Sequence, residues 1–158
     1  MGTIIRRVTV GQAGSGKSSV GEALVSEFFS IKSAPLACDK LTQFSSIAAL
    51  SGSNVIPTIL EEYKPNRLGA KLNQLSAILR SSYDFQSIRR GTPSLDVIEY
   101  VYRSSICLIG ESSTEETALK ERSIETTVSL FTRTKEHTDN YMVLCQDLVQ
   151  IKMRGSAS

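Results

Sequence analysis

The sequence predicts an α/β fold in which a mainly parallel sheet is flanked by helices. Segments rich in β-branched residues alternate along the chain with segments whose apolar residues recur every three or four positions. One segment, "SSICLIG" at residues 104–110, is a continuous apolar run, which is typical of a strand buried on both faces of a parallel sheet. A glycine-rich stretch at residues 11–18 stands between the first predicted strand and the first predicted helix.

The composition indicates one folded domain, 1–158, with 41% hydrophobic and 22% charged residues. A net charge of +2 gives no reason, by itself, to expect binding to nucleic acid or to a membrane. No apolar run approaches the length of a membrane span, and no signal peptide is recognisable. Cys38, Cys107 and Cys145 are far apart, which favours reduced thiols and a cytoplasmic location.

The glycine-rich stretch, "GQAGSGKS", fits the phosphate-binding pattern G-x-x-x-x-G-K-[ST]. A strand is predicted before it at 3–10, and a helix after it at 18–29, with Val20, Leu24 and Phe28 on one face. A strand, a glycine loop and a helix start are the context that phosphate binding needs, because the N–H groups at the helix start point at the anion. A glycine-rich turn with a chance lysine is the alternative.

Each residue type in this loop has a predicted role. The glycines let the backbone approach phosphates without a Cβ clash. Lys17 is expected to reach the β- and γ-phosphates of a nucleotide, and Ser18 to ligate Mg²⁺. The predicted nucleotide-binding residues of the loop are Gly11, Gly14, Ser15, Gly16, Lys17, Ser18 and Ser19.

The middle of the chain continues the alternation of strands and helices. After a weak strand at 30–38, Asp39 is predicted to cap a helix, and a strand follows at 55–62. Asn66 is predicted to cap the next helix, and "RGTPS" at 90–94 to turn a β-hairpin that spans 87–102. The apolar stripes of the two helices are Leu41, Phe44, Ile47 and Leu50, and then Leu68, Leu72, Leu75 and Leu79.

The last third supplies two more strands and two more helices. The apolar strand at 104–110 is followed by a helix at 113–122, with Ser113 as its expected cap and Glu116 at its third position. A strand at 123–131 and a final helix complete the chain. The apolar residues of that final helix are Tyr141, Leu144, Leu148 and Ile151.

Two adjacent acids end the strand at 55–62. In an enzyme with a phosphate-binding loop, a second strand ends in an acid beside the Mg²⁺ shell. Glu61 is therefore predicted to hold Mg²⁺, directly or through water, and Glu62 to polarise the water that attacks the γ-phosphate. A solvated strand end is the alternative.

The strand at 104–110 is expected to lie between these two strands in space, with Glu111 and Ser112 at its polar exit. Either residue could sense the γ-phosphate or simply begin a loop. Arg122, placed after a short helix and before a strand, could enter a neighbouring subunit's nucleotide site and neutralise charge there. A surface arginine at a helix C-terminus is the alternative for Arg122.

The order of these parts resembles the core of AAA+-type P-loop ATPases. A β-hairpin immediately before the sensor strand resembles the pre-sensor hairpin group, which includes the superfamily-three helicases. The stretches "SNVIPTILEEYKP", "RRGTPS" and "ALKERS" are similar to ATPase modules of phage and plasmid primase–helicase proteins. The resemblance spans residues 5–132. Glu61 departs from it where aspartate is usual, and the typical sensor asparagine is absent.

The resemblance implies ATP and Mg²⁺ as cofactors, Mg-dependent hydrolysis, a ring-like homo-oligomer and a single-stranded DNA substrate. It also implies that the chain is a module of a longer replication protein. In such rings the hairpin faces the channel, which makes Arg89 and Arg90 candidates for DNA phosphate contacts. A charged, exposed hairpin without DNA contacts is the alternative.

Two other functions are compatible with the sequence. A small-molecule or nucleoside kinase uses the same loop, although it needs an arginine-rich lid that is not evident in the sequence. A switch or scaffold would bind ATP without turning it over.

Overall fold

The computed structural model describes residues 6–29, 34–129 and 134–155. Five parallel strands form the main sheet in the order β2-β3-β6-β1-β7, and helices pack against it. Strands β4 and β5 form a separate two-stranded antiparallel sheet. The predicted fold class is confirmed. The strands are β1 Arg6–Gly11, β2 Leu36–Ala37, β3 Thr58–Tyr63, β4 Ser87–Gly91, β5 Val97–Val101, β6 Ile106–Gly110 and β7 Ser123–Val128. The helices are α1 Lys17–Phe29, α2 Gln43–Ser51, α3 Pro65–Leu68, α4 Ala70–Tyr83, α5 Thr117–Lys120 and α6 Lys135–Gly155.

Strand β6 lies between β1, which leads into the glycine loop, and β3, which carries the acid pair just before its last residue, Tyr63. Leu108 of β6 is level with Val8 of β1 on one side and with Leu60 of β3 on the other. All three side chains are buried in the main core cluster. The predicted placement of this strand between the two motif strands is therefore confirmed, and all three strands end at the same edge of the sheet.

Helix α1 packs on β6 through a small residue and a branched one. A Cβ on Gly21 would stand 2.6 Å from Cδ1 of Ile109, so the helix backbone approaches the strand closely. Val25 is buried against Ile59 and Ile109. The predicted apolar face was wrong for Val20, which is 43% exposed, because the helix turns Gly21 and Val25 toward the sheet instead. The side chains of Leu24 and Phe28 lie outside the described part of the chain.

The opposite face of the sheet is covered by α2 and α4. Helix α4 buries Leu75 and Leu79 and half-buries Leu72, and Leu68 from α3 joins them, so the predicted leucine stripe is core. In α2, Ile47 and Leu50 are buried, whereas Phe44 is 66% exposed. Phe44 was therefore wrongly assigned to the buried stripe.

The two predicted helix caps in this region were wrong. Helix α2 is capped by Thr42, whose hydroxyl accepts from the Ser45 N–H at 3.1 Å while the Ser45 hydroxyl accepts from the Thr42 N–H at 2.9 Å. Asp39 lies upstream in a 3₁₀ turn. Asn66 lies inside the short helix α3, and Gly69, with a φ of 52°, separates α3 from α4.

The predicted hairpin is confirmed, and it is anchored at its base. Ile88 faces Tyr100 across the strand pair, and both side chains pack against the main core. The turn spans Thr92 to Asp96, where the Thr92 N–H donates to the Asp96 carbonyl oxygen at 2.8 Å. Leu95 sits at the tip with a φ of 66° and 94% exposure. The tip thus stands away from the body of the described residues.

The last helices differ from their predicted forms. Helix α5 is a single turn with Glu116 as its N-terminal flanking residue, so Ser113 is not its cap, and the Ser113 hydroxyl donates to the Glu125 carboxylate. In α6, Tyr141 and Leu144 are exposed, and the side chains of Leu148 and Ile151 lie outside the described part. None of the described helices is long and apolar enough to cross a membrane.

Candidate phosphate-binding site

The glycine loop leaves β1 and enters α1 with two left-handed residues. Gly14 and Gly16 have φ values of 77° and 84°, which side chains rarely allow. The Val20 N–H donates to the Gly16 carbonyl at 3.0 Å, so the loop runs directly into the first helical turn. The ammonium of Lys17 donates to the Gln12 carbonyl at 3.0 Å, which folds the lysine back over the loop. This arrangement directs backbone N–H groups and one cation into the same small space.

Gly11 is required by the packing of the neighbouring strand. A Cβ at this position would stand 2.6 Å from the Val128 carbonyl oxygen and 2.6 Å from Oγ of Ser15. Oγ of Ser15 is itself buried without a hydrogen-bond partner among the described residues. The end of β7 therefore presses against the loop at its start.

A cleft of about 260 Å³ opens beside the loop at the carboxyl edge of the sheet. Because β1, β3 and β6 are parallel neighbours, the residues that follow them converge here. The charged and polar side chains that line the cleft are Lys17, Ser18, Glu62, Lys64 and Glu111. Three separate segments of sequence thus meet within one cavity.

The acid pair occupies a kink in β3. Leu60 and Tyr63 are buried in the same core cluster, although residues three apart on a regular strand face opposite sides. The pairing of β3 with β6 shifts register between them, and Glu62 has a φ of 58°. This left-handed conformation is uncommon for a residue other than glycine. The bulge keeps Tyr63 in the core while the Glu62 carboxylate lines the cleft.

Of the two predicted Mg²⁺ ligands, Ser18 lines the cleft and Glu61 does not. Oε1 of Glu61 is buried and accepts no hydrogen bond from a described residue, which is costly for a carboxylate unless a cation approaches it. The described residues contain no group of three or more histidine, cysteine or acidic side chains that could hold a metal by themselves. Mg²⁺ commonly uses one or two protein oxygens together with phosphates and water, so the Ser18 hydroxyl in the cleft suits an ion that arrives with a nucleotide.

Lys64 connects the two acids that line the cleft. Its ammonium lies 2.7 Å from Oε2 of Glu62 and 3.1 Å from Oε1 of Glu111. The hydrogen bond from Lys64 lowers the pKa of the Glu62 carboxyl, and Lys17 contributes in the same direction. The same contact raises the pKa of Lys64. Glu62 and Lys64 therefore both stay charged near neutral pH. Lys64 was not among the residues singled out from sequence, although it follows the acid pair by only two positions.

Glu111 and Ser112, which follow β6, differ in their position relative to the cleft. Glu111 lines the cleft, and its N–H donates to the Tyr63 carbonyl at 3.4 Å. Ser112 is exposed and is not part of the cleft lining. The structure thus brings Glu111, rather than Ser112, next to Lys17 and Glu62.

A second cavity, of about 510 Å³, adjoins the cleft, and Gly14, Lys17 and Ser18 line both. Ser15 and Ser19 face it from the loop and α1, and Ser129 follows β7 into it. Three residues from the start of α6 close it, namely His137, Thr138 and Tyr141. No sequence pattern indicated that α6 would meet the loop.

Arg122 lies at the opposite edge of the sheet. Strand β7 runs parallel to β1, so Ser123 is level with Arg6 and Val128 with Gly11. That places Arg122 one strand length, about 16 Å, from the level of the loop. Its guanidinium stacks on the ring of Tyr83, 5.0 Å from the centroid. The structure therefore does not bring Arg122 together with the cleft of its own chain.

The two hairpin arginines face opposite sides of the hairpin because they are adjacent on a strand. Arg89 is level with Glu99, and its Nε lies 3.7 Å from Oε1 of Glu99. Arg90 is level with Ile98 and is half-buried. Of the two, Arg89 is the exposed one, with 73% of its side chain accessible, and its charge is partly compensated by Glu99.

No family model and no curated protein sequence matches the chain. Solved structures do match its fold. NtrX from Brucella abortus, solved in complex with ATP, has a TM-score of 0.56 and 13% identity over 93% of this chain. JCV helicase, solved with a bound thiazolopyridine acetamide compound, has a TM-score of 0.56 and 12% identity over 91% of this chain. The chain spans 38% and 41% of the lengths of these two proteins.

The fold and the site together define a class of protein. A parallel sheet whose first strand enters a glycine loop and helix, with β6 placed between that strand and the acidic strand, is the α/β fold of P-loop NTPases.

Proposed function

We propose that this chain is the nucleotide-binding and hydrolysing core of a Mg-dependent ATPase. The observation that carries the proposal is the convergence of Lys17, Ser18 and Glu62 on one cleft at the edge of the parallel sheet. Lys17 and the loop N–H groups bind the phosphates, and Ser18 and Glu61 hold the Mg²⁺ that accompanies them. Glu62 polarises the attacking water. The ATP in the solved complex of the structurally similar NtrX supports the choice of nucleotide.

The ATPase is further proposed to be a helicase-like or translocase-like motor module of a phage or mobile-element replication protein. The similarity to JCV helicase and the hairpin that precedes β6 support this assignment. In a ring-like homo-oligomer, the exposed hairpin contacts single-stranded DNA, and Arg122 of one subunit reaches the nucleotide of the next. The position of Arg122 far from its own loop supports a role across subunits.

A non-hydrolysing ATP-dependent switch is the second candidate function, and one observation favours it. Glu62, the proposed base, is engaged by Lys64 at 2.7 Å and is therefore not free to activate water in this conformation. A protein that kept this contact with ATP bound would bind nucleotide without turning it over.

One experiment separates these functions. We expect ATP hydrolysis by the purified chain to rise with single-stranded DNA and to rise more steeply than linearly with protein concentration. Lys17→Met is expected to abolish nucleotide binding, because the phosphate cation is lost. ATP binding without hydrolysis at any protein or DNA concentration would establish the switch, and the absence of ATP binding would refute both functions.

A further inference from the structure

The cleft contains a charge arrangement that phosphate binding alone does not explain. Lys64 bridges Glu62 and Glu111, which come from different strands, so one ammonium ties the ends of β3 and β6 together. Lys17 is the other cation that lines this cleft, and it donates to its own loop. The cleft lining thus contains two positive side chains, Lys17 and Lys64, and two negative ones, Glu62 and Glu111.

We propose that Lys64 is a positioning residue that distinguishes a bound nucleoside triphosphate from a diphosphate. In the open cleft its ammonium holds Glu62 and Glu111, and when a triphosphate binds, the ammonium moves to the terminal phosphate. That movement releases Glu62 toward the attacking water. The inference rests on the proposed nucleotide-binding function and names the group that regulates it.

The exposure of the three side chains makes this exchange of partners feasible. The side chains of Glu62 and Glu111 are 60% and 44% exposed, whereas that of Lys64 is 24% exposed. Ion pairs with partners this exposed are weak, so breaking them costs little. A terminal phosphate offers several charged oxygens to one ammonium, and charge-assisted hydrogen bonds of this kind are stronger. A diphosphate lacks that group and leaves the ammonium on the carboxylates.

The backbone of Glu62 supports the same interpretation. Its left-handed φ of 58° is strained for a residue with a side chain, and that side chain forms an ion pair with Lys64. Release of the ammonium leaves the Glu62 side chain free to change its rotamer. Glu62 is thus held in one position without a triphosphate and is available for another with one.

The test compares the dissociation constants for ATPγS and ADP, measured with Mg²⁺ by displacement of a fluorescent nucleotide. Lys64→Met is expected to weaken ATPγS binding about tenfold and ADP binding by less than about twofold. Lys64→Arg is expected to keep most of the preference for ATPγS. Lys40→Met is the matched control, because Lys40 is exposed beyond β2 at the same sheet edge without lining the cleft.

A double variant separates contact with the phosphate from simple screening of the Glu111 carboxylate. If Lys64 only screened the Glu111 carboxylate, Lys64→Met with Glu111→Gln would recover ATPγS affinity. We expect the loss to remain, and recovery to the wild-type value would overturn the proposal. An equal loss of ATPγS and ADP affinity in Lys64→Met, or no loss, would also overturn it. Failure of the wild-type protein to bind either nucleotide would instead refute the proposed function, and the inference with it.

Discussion

The guanidinium of Arg122 lies over the ring of Tyr83, 5.0 Å from its centroid, at the edge of the sheet remote from the glycine loop. Tyr83 ends α4 and Arg122 precedes β7. The contact therefore joins two segments that lie on either side of the hairpin and β6 in the sequence. An arginine in this position is separated from the glycine loop of its own chain by the length of β7.

The position of Arg122 predicts complementation between subunits. Arg122→Ala and Glu62→Gln are each expected to be inactive alone, because one lacks the arginine proposed to act across the subunit interface and the other lacks the proposed base. A mixture of the two is expected to recover part of the ATPase rate, since some interfaces then combine an intact Glu62 with an intact Arg122. The check is a hydrolysis assay across mixing ratios, and a mixture with no more activity than its parts would contradict action across subunits.

The role of Glu62 predicts a separation of binding from hydrolysis. Glu62→Gln removes the carboxylate but keeps the shape, so ATP binding is expected to persist. Hydrolysis is expected to fall by about 10²- to 10⁴-fold, the usual contribution of a positioned base. Glu115→Gln is the control, because Glu115 is exposed, follows β6 in the sequence and does not line the cleft. Unchanged turnover in Glu62→Gln would refute its assignment as the base.

The contact between Gly110 and Tyr63 predicts a stability effect. A Cβ on Gly110 would stand 2.3 Å from the Tyr63 carbonyl oxygen, so Gly110→Ala must push β3 away from β6. We expect a loss of about 1–3 kcal/mol in the free energy of unfolding, measured by urea titration. Gly91→Ala is the matched control, since a Cβ there meets no atom within 4 Å. Equal stability of the two variants would contradict the close approach of the strands.

The opposite orientation of the hairpin arginines predicts unequal effects on DNA. Arg89→Ala is expected to weaken single-stranded DNA binding. It is also expected to reduce the slope of log K against log salt concentration by about one, the value for one lost phosphate contact. Arg90→Ala is expected to have the smaller effect, because Arg90 is half-buried. Fluorescence anisotropy over a range of salt concentrations measures both, with Arg103→Ala as a control for an exposed arginine outside the hairpin. Equal effects of Arg89→Ala and Arg90→Ala would contradict the asymmetry.

The burial of Cys38 predicts an unreactive thiol. Burial raises the pKa of Cys38 to about 12, and the nearby Asp39 adds to the effect. At pH 8 the thiolate fraction is then about 10⁻⁴, so iodoacetamide is expected to modify Cys38 far more slowly than in unfolded protein. Peptide mass spectrometry after timed labelling, with and without urea, checks this. Equal rates under both conditions would show that the thiol is not buried.

Much of the fold follows from local pattern. The alternation of strands and helices, the hairpin and the leucine stripe of α4 were each readable from periodicity and turn residues. The caps were not, because Asp39 and Thr42 are both good capping residues, and packing of the 3₁₀ turn decides between them. Val20 and Phe44 were misplaced for a similar reason, since several residues of a helix satisfy an apolar stripe and the neighbouring strand selects among them.

The sequence by itself determined the phosphate loop, because the glycine spacing and the Lys17–Ser18 pair act through local backbone geometry. It also determined that two acids end a strand. Only the tertiary structure decided which groups those acids meet. The order of strands brings Glu111 close to Glu62, and the bulge at Glu62 directs the Glu62 carboxylate into the cleft. Lys64 forms an ion pair with each of these two glutamates. These relationships depend on strand order and on a bulge, which are set by contacts between segments distant in sequence.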